Sequence, residues 1–208
     1  MARFPTNLAS AGGALPRLRA SAFGWRCAPF LALQLVAAGI APEQKQAAEY
    51  TLKAAVLCNL ARFVEWPVRA AGLTNGPLVI GVLGVDPFGS ALDEATKDQT
   101  VQGRKLAARR FGLADDPSAC HLLFISRSEA DRLPALLARL RGSGVLTVSE
   151  ISRFAERGGM VNLVMKEDRV RFEISVVAAE REGVAISSKV LKYATIVAPE
   201  KEPPASVP

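Results

Sequence analysis

The chain has 208 residues, of which 50% are hydrophobic, 22% charged and 6% aromatic, a composition that excludes disordered and fibrous classes. The formal net charge is +6, but four of the 26 basic residues lie within residues 1–41, which contain no acidic residue. The rest of the chain carries 22 basic against 20 acidic residues. Because that balance gives little of the positive field that attracts phosphate backbones, we expect no nucleic-acid partner.

Residues 1–41 have the pattern of a signal peptide. Their basic residues all precede an apolar run at residues 28–41 that ends in small side chains. This run is shorter than the roughly 20 apolar residues that span a bilayer. A buried core helix or a mitochondrial-type presequence are the alternatives. We predict removal of residues 1–41 on export, leaving a periplasmic protein that is not inserted in the membrane.

Helices and strands alternate in the elements predicted for residues 42–197. A helix over residues 43–65, ended by Pro67, follows from apolar residues spaced three and four apart. These are Leu52, Ala55, Val56, Leu60 and Phe63. Continuous apolar runs at residues 78–83, 120–125 and 145–148 predict strands buried on both faces of a parallel sheet.

The remaining predictions complete the α/β pattern. In chain order they are helical spacing at residues 87–97, a strand at 105–111, a helix over 128–140 capped by Ser128, a short helix capped by Ser149 and ended by Gly158, a hairpin of residues 160–165 and 169–176, and helices at 177–182 and 188–194. Together they predict three layers, with a mainly parallel sheet flanked by helices and a C-terminal antiparallel hairpin on the sheet. Residues 198–208, rich in Pro and Glu, are predicted to be a disordered tail.

Familiar catalytic and metal-binding motifs are absent from the sequence. His121 is the only histidine, and it lies beside Cys120 in a predicted strand, where neighbouring side chains point to opposite faces. The two therefore cannot act as base and nucleophile. The chain has too few His and Cys residues for an ordinary zinc site, and residues 81–84 lack the spacing of a dinucleotide-binding loop. We predict a protein that is not an enzyme, with no cofactor and no metal.

Three regions carry a pattern that is specific when taken together. Residues 53–67 end in Phe-x-x-Trp-Pro, residues 120–126 form the second region, and residues 145–191 contain Gly-Gly-Met-Val-Asn-Leu and Arg-Phe-Glu-Ile. This pattern resembles the YfiR-like family of periplasmic proteins over roughly residues 50–195.

The resemblance implies a periplasmic α/β domain, often dimeric, that restrains a membrane-bound diguanylate cyclase by binding its periplasmic part. The implied partners are thus an inner-membrane signalling protein and a second copy of the chain, and the process is cyclic-di-GMP signalling and biofilm formation. The alternative is a periplasmic small-molecule sensor that uses the crevice at the carboxyl ends of the parallel strands. A third hypothesis is a hydrolase whose active site carries no recognised motif.

Four residues are candidates for partner binding. Trp66 and Pro67 lie at the end of the first predicted helix, and Lys189 and Lys192 share one face of the last one. Aromatic and basic groups of this kind are common at protein interfaces. The alternatives are that Trp66 covers the edge of the core and that the lysines merely solvate their helix.

Two cysteines outside the leader, Cys58 and Cys120, are candidate redox residues, because an exported protein can form disulfides. The resemblance places Cys120 at a strand position that matters in the best-understood member. However, residues 78–83 carry no cysteine to pair with it, and a second pair expected between Ser149 and Met165 is missing. Redox control of the family kind is therefore not expected, while pairing of Cys58 with Cys120 stays open.

Overall fold

The structure is a computed structural model that describes residues 42–67, 76–112 and 114–200. The predicted signal peptide lies outside these residues, as does the tail beyond Glu200. The helices are α1 (Pro42–Ala61), α2 (Ser90–Thr96), α3 (Leu133–Arg139), α4 (Val176–Arg181) and α5 (Ser188–Leu191), with a 3-10 helix at Arg127–Arg132. The strands are β1 (Val64–Glu65), β2 (Leu78–Leu83), β3 (Thr100–Val101), β4 (Arg104–Phe111), β5 (Leu122–Ile125), β6 (Leu146–Ser149), β7 (Val161–Lys166), β8 (Arg169–Ile174), β9 (Ala185–Ile186) and β10 (Ala194–Ile196).

Within the described residues, eight strands form one sheet in the order β10-β8-β7-β6-β5-β2-β4-β3. Strands β4, β2, β5, β6 and β7 are parallel, and β7 and β8 form an antiparallel hairpin. Strand β10 adds to β8 in parallel, and β3 adds to β4 in antiparallel. The α/β class, with a mainly parallel sheet and a C-terminal hairpin, is confirmed.

Both faces of the sheet are covered because its central strands are apolar at every position. All four residues of β5 are buried, and successive side chains point to opposite faces. Leu122 and Phe124 join a core cluster with residues of α1, α2 and α4, whereas Leu123 and Ile125 join a second cluster with residues of α3. The sheet therefore lies between two helical layers.

Helix α1 differs from its prediction in length and in its buried face. It ends at Ala61, and the buried Val64 instead begins β1, which pairs with β9 in antiparallel. Leu52 is 42% exposed while Lys53 is fully buried. The apolar spacing pointed to Leu52, but a buried carboxylate binds the ammonium of Lys53 and turns that side of the helix inward.

Three other predicted helical features are wrong. Residues 150–159 form turns, and Ser149 Oγ accepts a hydrogen bond from Ile151 N at 3.0 Å without starting a helix. Ser128 lies inside the 3-10 helix, where its Oγ accepts from Val85 N at 2.9 Å. Helix α5 stops at Leu191, and residues 194–196 instead extend the sheet beside β8. The deviations at Ser128 and at α5 each depend on a contact with a distant loop or strand, which local spacing does not reveal.

Gly159 provides a test of the turn that replaces the predicted helix. A Cβ added there would lie 2.1 Å from Cε1 of the fully buried Phe154. We expect Gly159→Ala to lower the free energy of unfolding by about 2 kcal/mol, because the ring has no room to move. Urea denaturation measures this, with Gly76→Ala as the matched control, since a Cβ there meets no atom of the described residues within 4 Å. Equal stabilities for the two variants would contradict the packing.

Candidate partner-binding site

A buried group of charges fixes helix α1 on the sheet. Lys53 is fully buried, and its Nζ contacts Glu49 Oε1 on the same helix and Glu150 Oε2 beyond the end of β6. Tyr50 donates its hydroxyl hydrogen to Glu150 Oε1 at 2.7 Å, and Arg127 Nε lies 3.2 Å from the same oxygen. Burial, followed by the hydrogen bond to Glu150, raises the pKa of Tyr50 well above its usual value. Because every charge in the group has a partner, the group holds α1 in one position.

Beside the C-terminal half of α1 lies an apolar groove, which we call the α1–α5 groove. Its volume is about 370 Å³, and α1, β8 and the α5 segment line it. The lining residues are Val56, Asn59, Leu60, Phe63, Phe172, Lys189, Val190 and Tyr193. Tyr193 is 80% exposed and Phe63 is 37% exposed. An exposed apolar surface with aromatic side chains and a lysine has the character of a protein-binding site.

The two lysines that the sequence predicts to bind a partner, Lys189 and Lys192, take different positions relative to the groove. Both are exposed, but only Lys189 lines the groove, while Lys192 lies at the end of α5. Val190 and Leu191 between them pack against the core. Neither lysine has a carboxylate within 4 Å among the described residues, so the charges of both are available to a partner. Their role in binding stays a prediction.

Trp66 and Pro67 follow β1, whose chain region pairs with that of β9 and α5, but Pro67 lies beside Gly183 and neither residue lines the groove. The pairing of β1 with β9 and a hydrogen bond from Ser187 N to Phe63 O at 2.8 Å bring the two chain regions together. Trp66 is partly buried against the core. Its ring centroid lies 5.8 Å from that of His121, edge to face. This position fits the alternative reading of Trp66 as a core-edge aromatic.

Sequence reasoning missed Phe63 and Tyr193 as surface residues. Phe63 belongs to the Phe-x-x-Trp-Pro segment, which the sequence analysis singles out. The helical spacing, however, predicts this residue on the apolar face of a helix. Tyr193 follows Lys192 directly and carried no periodic signal of its own. Their exposure depends on β1 and β10, which end both flanking helices early.

A family model described as YfiR/HmsC-like matches residues 50–195. The chain belongs to the YfiR/HmsC-like family. The match runs from within α1 to within β10 and so includes both walls of the groove. Membership in this family fits a regulatory role. No curated protein matches the chain, and no helix among the described residues is long and apolar enough to cross a membrane.

Of the three cysteines of this YfiR/HmsC-like chain, the two that the structure describes, Cys58 and Cys120, are free and lie on opposite sides of the sheet. Cys58 belongs to the core cluster with α1, and Cys120 to the cluster with α3. Burial raises the pKa of Cys58 to about 11 and that of Cys120 to about 12. Since the thiolate is the reactive form, both thiols are held unreactive at neutral pH. The sheet separates them in this fold, and a redox role for either stays a prediction.

His121 has the surroundings of a structural residue. It is fully buried, and its Nδ1 accepts a hydrogen bond from Val79 N at 3.1 Å, so the hydrogen of the neutral ring is on Nε2. Burial, with a smaller effect of Arg104, lowers the pKa of His121 to about 4. The neutral ring therefore packs in the core at neutral pH, and the Cys120 thiol lies on the other face.

The lowered pKa of His121 predicts a pH dependence of stability. In the unfolded chain the histidine titrates near pH 6.5, so that state binds more protons between about pH 6.5 and 4. Stability from this group is present above about pH 6.5 and is lost as the pH falls towards 4. In His121→Asn, the Oδ1 atom of the asparagine can accept the hydrogen bond from Val79 N, but the side chain does not titrate. We therefore expect this variant to lose about 1 kcal/mol less stability than the wild type between pH 7 and 5. Urea unfolding at both pH values measures this. The same pH dependence in variant and wild type would disprove it.

Proposed function

We propose that this protein is a periplasmic regulator that binds an inner-membrane signalling protein, such as a diguanylate cyclase, and restrains it. The observation that carries the proposal is the α1–α5 groove on a member of the YfiR/HmsC-like family. The proposal places contact with the partner at this groove. The leader pattern of residues 1–41 supports export to the compartment where the periplasmic part of such a partner lies.

The exposed aromatics of the groove supply its binding energy in this proposal. Tyr193 and Phe63 are exposed residues of its lining, to which the buried Leu60 and the partly buried Phe172 also belong. Aromatic side chains dominate the energetics of protein interfaces because they bury a large area at low entropic cost. An apolar anchor on the partner, inserted between the two rings, would remove this surface from water.

Lys189 and Lys192, which have no carboxylate within 4 Å in the described part of the chain, favour a partner with negative charge. Lys189 lies at the groove, and Lys192 follows one helical turn later. A partner segment with an apolar anchor flanked by acidic residues complements this arrangement. Charges at the rim of an interface mainly increase the association rate. The lysines therefore contribute to how quickly the partner is captured, and the aromatics to how long it stays bound.

A small-molecule sensor remains the second candidate function. The observation that favours it is a cleft of about 720 Å³ at the carboxyl ends of β5 and β6, where open α/β sheets bind ligands. We call this the strand-end cleft. The buried Asn162 lines it, and the Oδ1 atom of this residue has no hydrogen-bond partner among the residues that the structure describes.

Deletion of the gene is expected to raise cellular cyclic-di-GMP, because the cyclase loses its restraint. Complementation with Tyr193→Asp, or with Lys189→Glu and Lys192→Glu together, should restore the low level only in part. These side chains are exposed, so folding should change by about 0.5 kcal/mol or less. Mass spectrometry of cell extracts measures the nucleotide, and immunoblotting checks the level of each variant.

Lys97→Glu with Lys105→Glu is the matched control. Both lysines are exposed and lie near the opposite edge of the sheet, so this double variant should complement fully. An unchanged cyclic-di-GMP level on deletion would rule out restraint of a cyclase. A raised level that every variant corrects would move the binding surface away from the groove, with Trp66 and Pro67 as the next candidates.

A further inference from the structure

A second apolar groove borders the α5 segment, and we call it the α4–α5 groove. Its volume is about 390 Å³, and α4, β9 and the end of α5 line it. The lining residues are Val176, Ala179, Glu180, Gly183, Val184, Ala185, Ile186 and Leu191. A Cβ added at Gly183 would lie 3.4 Å from Pro67 Cβ, so this predicted partner-binding residue lies beside the groove. Val177, the neighbour of Val176 on α4, is 58% exposed.

The two grooves lie on either side of α5. Lys189 and Tyr193 line the α1–α5 groove, whereas Leu191 lines the α4–α5 groove. Positions 189 and 191 are two residues apart, which places their side chains roughly 200° apart around a helix. None of the residues of α5 is buried. This exposed helix therefore separates two apolar grooves, whose distance is about 10 Å, the diameter of a helix with its side chains.

The two grooves carry opposite charges. Lys189 lines the α1–α5 groove, and Glu180 lines the α4–α5 groove. Both side chains are exposed, and neither has a group of opposite charge within 4 Å in the part of the chain that the structure describes. The surface is thus positive on one side of α5 and negative on the other. A charged segment that crosses α5 is favoured in one direction and disfavoured in the reverse one.

The spacing of the grooves selects the secondary structure of a segment that enters both. On a helix, side chains seven residues apart share one face and lie about 10 Å apart along the axis. On a strand, side chains on one face lie about 7 or 13 Å apart. The helical spacing matches the distance between the grooves, and the extended spacings do not.

We propose that the partner lays one amphipathic helix across α5, with an apolar side chain in each groove. The two apolar residues are seven positions apart. An acidic residue accompanies the one beside Lys189, and a basic residue accompanies the one beside Glu180. This inference rests on the proposed function and extends its contact from one groove to both. Docking of an apolar helix face into hydrophobic grooves is a common mode of recognition.

Charge reversal at Glu180 tests the contact at the second groove. In the deletion strain, Glu180→Lys should lower cyclic-di-GMP only in part, because the new ammonium repels the basic residue of the partner helix. Glu94→Lys on α2 is the matched control, since Glu94 is also exposed and lines neither groove. It should restore the low level fully, and immunoblotting checks the level of both variants. Full restoration by Glu180→Lys would overturn the second contact and leave the proposed function intact.

Photo-cross-linking in living cells from both grooves tests the helix itself. A photoreactive phenylalanine analogue replaces Phe63 in one groove or Ala185 in the other. Mass spectrometry then identifies the protein linked to each position and the residues that carry the link. We expect both positions to link to the same inner-membrane protein, at sites about seven residues apart in one segment.

The other outcomes separate a failure of this inference from a failure of the proposed function. Links from position 63 without links from position 185, or links to two distant segments, would overturn the helix and keep the proposed function. Links from both positions to a second copy of this chain would identify a dimer interface and overturn both. The absence of any link from either position would also contradict both.

Discussion

The ammonium of Lys53 is buried between a helix and a sheet, and the position of α1 depends on it. Glu49 supplies one carboxylate from the same helix, and Glu150 supplies another from the end of β6, 97 residues later. A buried charge that loses its partner costs about 3–5 kcal/mol. Helix α1 can therefore neither rotate nor slide along the sheet without breaking this contact. An apolar face alone would tolerate small shifts, whereas a single ammonium between two carboxylates does not.

The groove follows from that constraint. Val56 and Leu60 lie three and seven positions after Lys53, a spacing that keeps them near one side of the helix, and Phe63 follows in the turn just after α1 ends. Fixing Lys53 therefore orients one wall of the groove. The other wall comes from the α5 segment, which is attached to the chain after α1 by the β1–β9 pair. A surface assembled before its partner arrives loses little conformational entropy on binding.

The sequence predicted the parts of the fold that rest on local patterns. The runs that form β2 and β5 are apolar at every position, and the hairpin of β7 and β8 alternates, so their character is visible without tertiary contacts. Lys53 could not be predicted as buried, because a lysine on an amphipathic helix is normally solvated and its partner is distant in sequence. The groove was hidden for the same reason. Its walls are joined by the pairing of β1 with β9 and by the hydrogen bond from Ser187 N to Phe63 O, and the exposed Tyr193 lies just beyond the end of α5 at Leu191.

Binding through the groove is the central claim, and photo-cross-linking in living cells tests it most directly. A photoreactive phenylalanine analogue replaces Phe63 in the lining of the groove without adding charge. The same analogue at position 105, near the opposite edge of the sheet, serves as the control. The account predicts that position 63 alone links to an inner-membrane protein with a cyclase domain. Linking from position 105 but not from position 63 would contradict it.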